Sequence, residues 1–151
     1  SREAYGHTVV DLSGSMDAEQ AVVVARQSSE ILITLTPDLP AIWRTEKLLT
    51  FLSHQGAADN IKLILNRTSR RDDIGERDIE RLLSQPVYHS FPNDYGACLK
   101  AINSGRPLQP EDSRQLYQSI QELALQMAGI NNRTDSKSLF GMFLRPSSIG
   151  G

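Results

Sequence analysis

Short apolar runs alternate with longer amphipathic stretches along most of this chain, and the runs end in polar or proline turns. Residues 7–12, 31–36, 61–65 and 87–91 are such runs, and their length and β-branched content predict four buried strands. Between them the period changes to that of a helix. Residues 17–27, capped from Ser15 or Asp17, carry Ala18, Ala21, Val22, Val23, Val24 and Ala25 around most of the circumference, which predicts a well-buried helix. Residues 41–54 set Ile42, Thr45, Leu48, Leu49 and Leu52 on one stripe. In residues 77–84, Ile79, Leu82 and Leu83 turn inward before Pro86 stops the helix. A further helix follows Pro92-Asn93-Asp94 and runs to about Asn103, where Gly105 terminates it. The last, over residues 112–127, aligns Leu116, Ile120, Leu123 and Met127.

Strand and helix in repeated alternation with short connections predict an α/β fold, a mostly parallel sheet with helices on both faces. Ligands of such sheets bind beyond the carboxyl ends of the strands. Here those ends are Asp11-Leu12-Ser13-Gly14, Thr36-Pro37-Asp38, Asn66-Arg67 and Pro92-Asn93-Asp94.

Composition narrows the picture only in part. The 151 residues suit one hydrophobic core, and the net charge of −2 gives no global attraction to nucleic acid or anionic lipid. Cys98 is the only cysteine, which excludes an intrachain disulfide and a cysteine-based metal site and fits a reducing cytoplasm. Residues 1–6 lack the basic and apolar regions of a secretion signal, and no run approaches the roughly 18 apolar residues of a membrane span.

Val-Val-Asp-Leu-Ser, Thr-Pro-Asp-Leu-Pro, Leu-Asn-Arg and Pro-Asn-Asp-Tyr, with Ala-Ile-Asn-Ser-Gly-Arg-Pro-Leu downstream, together resemble the C-terminal half of MinD/ParA-type ATPases. The resemblance runs through residues 5–128 and is nearest the CpaE-like branch associated with pilus assembly. It implies a P-loop NTPase-like three-layer sandwich that binds ATP or ADP with Mg²⁺. Asp11 would hold Mg²⁺ through water, and Gly14 would lie near the γ-phosphate. Asn66, with Arg67 beside it, would meet the adenine edge, and Pro92, Asn93 and Asp94 would form the wall beside the base. An amide suits that edge because it offers both a donor and an acceptor. The family's Gly-Lys-Gly-Gly-x-Gly-Lys-Thr loop is missing from these residues, and no Gly-Lys pair occurs anywhere in them. Residues 1–130 are therefore expected to be the C-terminal portion of a nucleotide-binding domain. Its phosphate-loop portion would lie upstream of Ser1, and this chain alone would not hydrolyse ATP.

Other features carry competing readings. Asp11, Ser13 and Ser15 also fit the metal site of a von Willebrand A-type interaction module. A non-catalytic scaffold of the same fold is a further alternative. Trp43 and Phe51 fall off the core stripe of their helix and could join a homodimer surface. Arg67, Arg70 and Arg71 are offset by Asp72 and Asp73, so no nucleic-acid partner is expected. His7, His54 and His89 have no metal-ligand spacing. Residues 131–151 read as a polar linker and a tail in which Leu139, Phe140, Met142, Phe143 and Leu144 lie between Lys137 and Arg145, suited to peripheral membrane contact. The expected whole is a cytoplasmic ATPase acting as a dimer, with pilus or polar-assembly partners, and peripheral at the inner membrane or cell pole where the tail engages lipid.

Overall fold

The computed structural model describes residues 6–12 and 18–129. They form an α/β fold of three parallel strands and five helices. The order is α1 (Ala18–Gln27), β1 (Ile31–Leu35), α2 (Leu39–His54), β2 (Ile61–Thr68), α3 (Glu76–Leu83), β3 (Val87–Pro92), α4 (Tyr95–Asn103) and α5 (Arg114–Met127). The sheet runs β1-β2-β3. Successive residues of a strand face opposite sides, and Leu63, Ile64 and Leu65 are all buried, so both faces of β2 are covered. That covering is what the predicted layering requires.

One run departs from expectation. Residues 7–12 form no strand among the described residues, and Val9 is 92 % exposed, with Val10 and Leu12 exposed as well. A strand needs a neighbour to take its backbone bonds, and β1, the edge of the described sheet, pairs with β2 alone.

The described residues divide into two compact units: 6–12, 18–64 and 73–88 in one, 65–72 and 89–129 in the other. In the first, α2 packs on β1 and α3. Asp38 caps α2 by accepting from the Ala41 N–H at 2.9 Å, with Pro40 in the first turn where its missing N–H costs nothing. Ala41, Ile42, Thr45 and Leu52 are buried, while Leu48 turns outward from the predicted stripe. Helix α1 buries Val22 and Ala25 but exposes Val23, so it is half-buried rather than enclosed. Arg26 ties it to the end of α2 through two bonds to the Gln55 carbonyl, at 2.6 and 3.0 Å. In α3 Ile79 and Leu83 face the core and Leu82 is exposed, because the helix buries an i, i+4 pair and then ends at left-handed Ser84.

In the second unit α4 buries its small residues, Ala97 and Ala101, and turns Tyr95, Leu99 and Ile102 outward. Helix α5 buries Leu116 and Ser119, and Ile120 is exposed. The predicted stripe is rotated by one position because Ser119 is drawn inward by a polar contact. Its hydroxyl donates to the Ser90 carbonyl at 3.2 Å and lies 2.9 Å from His89 Nε2. The hydroxyl has one proton, so His89 Nε2 is the donor to it.

Candidate functional site

The base side of the expected nucleotide site falls within the second unit. Strand β2 continues beyond Leu65 through Asn66 and Arg67 to Thr68, and Arg67 adopts φ 60°, in the left-handed region. A residue with a Cβ gives up roughly 1–2 kcal/mol there. Cross-strand bonds hold the strand end in place: Thr68 Oγ1 donates to the Phe91 carbonyl at 3.0 Å, and the Asn93 N–H donates to the Thr68 carbonyl at 2.9 Å. Asn66 is half-buried and Arg67 exposed at this end. The adjacent ends of β2 and β3 thus bring Asn66, Arg67, Pro92, Asn93 and Asp94 into one region.

The loop after β3 is fixed from both sides. Pro92 restricts φ at the strand's last position, and two residues later Asp94 Oδ1 accepts from the Ala97 N–H at 3.1 Å to cap α4. Hydrogen bonding from Ser113, and after it the bond from the Ala97 N–H, holds the Asp94 carboxyl below its ordinary range. Ser113 in turn caps α5 by accepting from the Leu116 N–H at 3.4 Å.

One anchor is not legible in the sequence. The Asp112 side chain is 0 % exposed. Its carboxylate accepts from Arg106 Nη1 and Nη2 at 2.6 and 2.9 Å and from the Gln109 N–H at 3.1 Å, and it pairs with Lys100 Nζ at 3.1 Å. The bidentate Arg106 fork contributes most to holding this carboxyl far below the usual range. The only sequence signal is an arginine and an aspartate flanking Pro107 and Pro110, a spacing with no standing meaning.

Of the residues expected on the phosphate side, only Asp11 is among those described. Asp11 lies in the irregular, exposed residues 7–12. Gly14, Ser13 and Ser15 lie outside the described residues, as does the tail with Leu139, Phe140, Phe143 and Leu144. Among the described residues no three His, Cys, Asp or Glu side chains gather to hold a metal ion. The remaining strand end, after β1, is capped: Thr36 Oγ1 donates to Asp38, and this bond, ahead of the one from the Ala41 N–H, lowers the Asp38 pKa. Trp43 and Phe51 are exposed on α2, as their spacing predicts. Arg70 and Arg71 are exposed in a turn that Asp72 closes by accepting from the Ser69 N–H at 2.7 Å. No helix among the described residues is long and apolar enough to cross a membrane.

No family model and no curated protein matches the chain. Solved structures do. A ParA family ATPase from Chlorobium tepidum TLS is 29% identical, with a TM-score of 0.60 over 69% of this chain and 43% of its own. The MinC:MinD cell division protein complex of Aquifex aeolicus gives a TM-score of 0.66 at 19% identity, over 79% of this chain and 49% of that one. The MinD cell division protein of Aquifex aeolicus gives 0.66 at 20% identity, over 78% and 50%. This chain has the fold of the MinD and ParA-type ATPases and spans about half the length of the structures it matches.

Proposed function

We propose that this chain is the base-recognising C-terminal part of a MinD/ParA-like ATPase that acts only together with a phosphate-binding loop supplied from outside these 151 residues. The observation that carries the proposal is the end of β2. There Asn66 sits at a parallel strand end immediately before a left-handed Arg67, and two cross-strand bonds tie that end to the Pro92–Asp94 loop. Backbone strain of this kind is retained where the surroundings enforce it, and it clusters at ligand sites. The likeness to a ParA family ATPase supports the same reading.

In this reading residues 1–130 belong to the nucleotide-binding domain and residues 131–151 are an appendage. Asn66 reads the adenine edge, Arg67 and the Pro92–Asp94 loop border the base, and Asp11 and Gly14 turn toward phosphates and a water-bridged Mg²⁺ when the missing portion is present. The complete protein works as an ATP-gated homodimer of the CpaE-like kind, in positioning or assembling a polar structure such as a pilus. Its tail, with Leu139, Phe140, Phe143 and Leu144, contacts the membrane peripherally.

The test is titration of the isotope-labelled chain with AMP and with GMP, followed through its amide resonances. AMP is expected to shift Asn66, Arg67, Thr68, Asn93 and Tyr95, and GMP to shift them less. Equal responses, or none, would sink the base-recognition reading. Detectable ATP turnover by the purified chain would refute the dependence on an external phosphate loop.

A further inference from the structure

We propose that the outer face of α4 is the docking surface for residues 139–144 of the same chain. Helix α4 distributes its side chains in the reverse of the order expected of a solvent-facing element. It buries two small residues, Ala97 and Ala101, and leaves Tyr95, Leu99 and Ile102 exposed, Tyr95 at 64 % and Ile102 at 73 %. Steps of four and three residues set those three on one face, with the exposed Cys98 at its margin. Single exposed apolar residues are ordinary, but a contiguous apolar face marks a contact. This one carries no charge, because Lys100 lies off the stripe and is committed to Asp112. The exposed face of α2 differs, since the exposed Lys47 stands between Trp43 and Phe51 at four-residue steps.

Size and reach select the occupant. Three side chains on a helix about 14 Å long fall well short of the roughly 800 Å² that each partner of a stable complex buries, so a second copy or a separate protein gains too little here to offset its lost freedom. A tethered segment loses much less. Residues 139–144, outside the described residues, hold Leu139, Phe140, Met142, Phe143 and Leu144, with no charge between Lys137 and Arg145. The chain departs toward them from α5, which belongs to the same compact unit as α4. Just before its start α5 is tied to α4 through Asp112 and Lys100, at 3.1 Å, and it is about 21 Å long. The nine residues 130–138 reach up to about 30 Å, enough to return the segment from the end of α5 to the α4 face. A seated segment is withheld from lipid. The peripheral membrane contact proposed above then depends on its release, a consequence that, unlike the docking, rests on the membrane reading.

Cysteine crosslinking in the full chain reads the docking, because Cys98 is the only native cysteine. Gly141→Cys sets a second thiol within the apolar segment without removing an apolar side chain, and Ser136→Cys sets one nearer to α5 as a control for random encounter. In dilute, mildly oxidised protein the intramolecular disulfide to Cys98 is expected to form about tenfold faster in G141C than in S136C. Adding Ile102→Ser, at an exposed position where folding tolerates change, is expected to remove that advantage. Equal rates in G141C and S136C, or an advantage that survives I102S, would overturn the proposal. So would a wild-type chain that dimerises in dilute solution through a Cys98–Cys98 disulfide, which would give the face to a second copy. Thermal melting verifies that each variant folds, and if I102S does not, the comparison of G141C with S136C decides. In flotation with phosphatidylglycerol vesicles, I102S is expected to bind more than wild type. Equal binding by both would overturn the docking, whereas binding by neither would overturn the membrane reading alone.

Discussion

Residues 7–12 and residues 61–68 are built alike, as apolar runs leading to a polar residue suited to a nucleotide, Asp11 in one and Asn66 in the other. Only the second is a strand. Strand β2 has β1 on one edge and β3 on the other, and its middle residues are buried on both faces. Residues 7–12 have no strand beside them among the described residues, and their valines face solvent. The difference teaches that an apolar run is a strand only conditionally. Neighbours must take its backbone bonds and cover its side chains before the burial outweighs the ordering entropy. It also teaches that Asn66 is held in position by the fold, whereas Asp11 lies in an irregular, exposed run.

The strongest way to break the comparison is to delete apolar volume in each segment. Leu63→Ala, at a side chain 0 % exposed, should cost about 2–5 kcal/mol in urea unfolding. Val9→Ala should stay within about 0.5 kcal/mol. A comparable loss at Val9 would show that residues 7–12 are packed after all.

The next largest effect concerns the anchor behind the β3 loop. Asp112→Asn removes the charge that two cations share, and at neutral pH it should lower the melting temperature by several degrees. The sign with pH follows from the depressed carboxyl. Its contribution is fully present above the unfolded-state value of about 3.9 and is lost as pH falls below that toward the folded-state value. The gap between wild type and D112N should therefore close in strong acid. A gap that stays constant from pH 7 to pH 2 would argue that the ion pairs contribute nothing.

A smaller effect sharpens the contrast between a strained site and a strained cap. Arg67→Gly and Ser84→Gly each relieve a left-handed residue and should stabilise by up to about 1 kcal/mol in chemical unfolding. If Arg67 serves the nucleotide, only R67G should also reduce the response to AMP. Smallest of all is a measurement that needs no substitution. Amides of residues 8–11 should exchange at nearly unprotected rates while Leu63, Ile64 and Leu65 exchange slowest.

Much of this was legible beforehand. The runs at 31–36, 61–65 and 87–91 are strands, and the helices start close to where caps and prolines place them, Asp38 and Pro40 for α2 and Asp94 for α4. The grouping of Asn66 and Arg67 with Pro92–Asp94 follows from the pairing of β2 with β3. Helix faces were read less well. Leu48, Leu82 and Ile120 point outward although periodicity counts them inward, and buried Ser119 escapes any apolar pattern. Periodicity cannot distinguish an apolar residue at the margin of a face from one at its centre.

What the sequence determined by itself is local: where backbone hydrogen bonding changes from strand to helix, where a carboxylate caps a helix and where proline interrupts. These follow from interactions a few residues apart. Only the tertiary structure decided that residues 7–12 pair with no strand among the described residues, that Arg67 is forced left-handed and that the Asp112 side chain lies buried between Arg106 and Lys100. Each of these depends on what neighbouring segments can donate, accept or cover, and no spacing along a single chain encodes that.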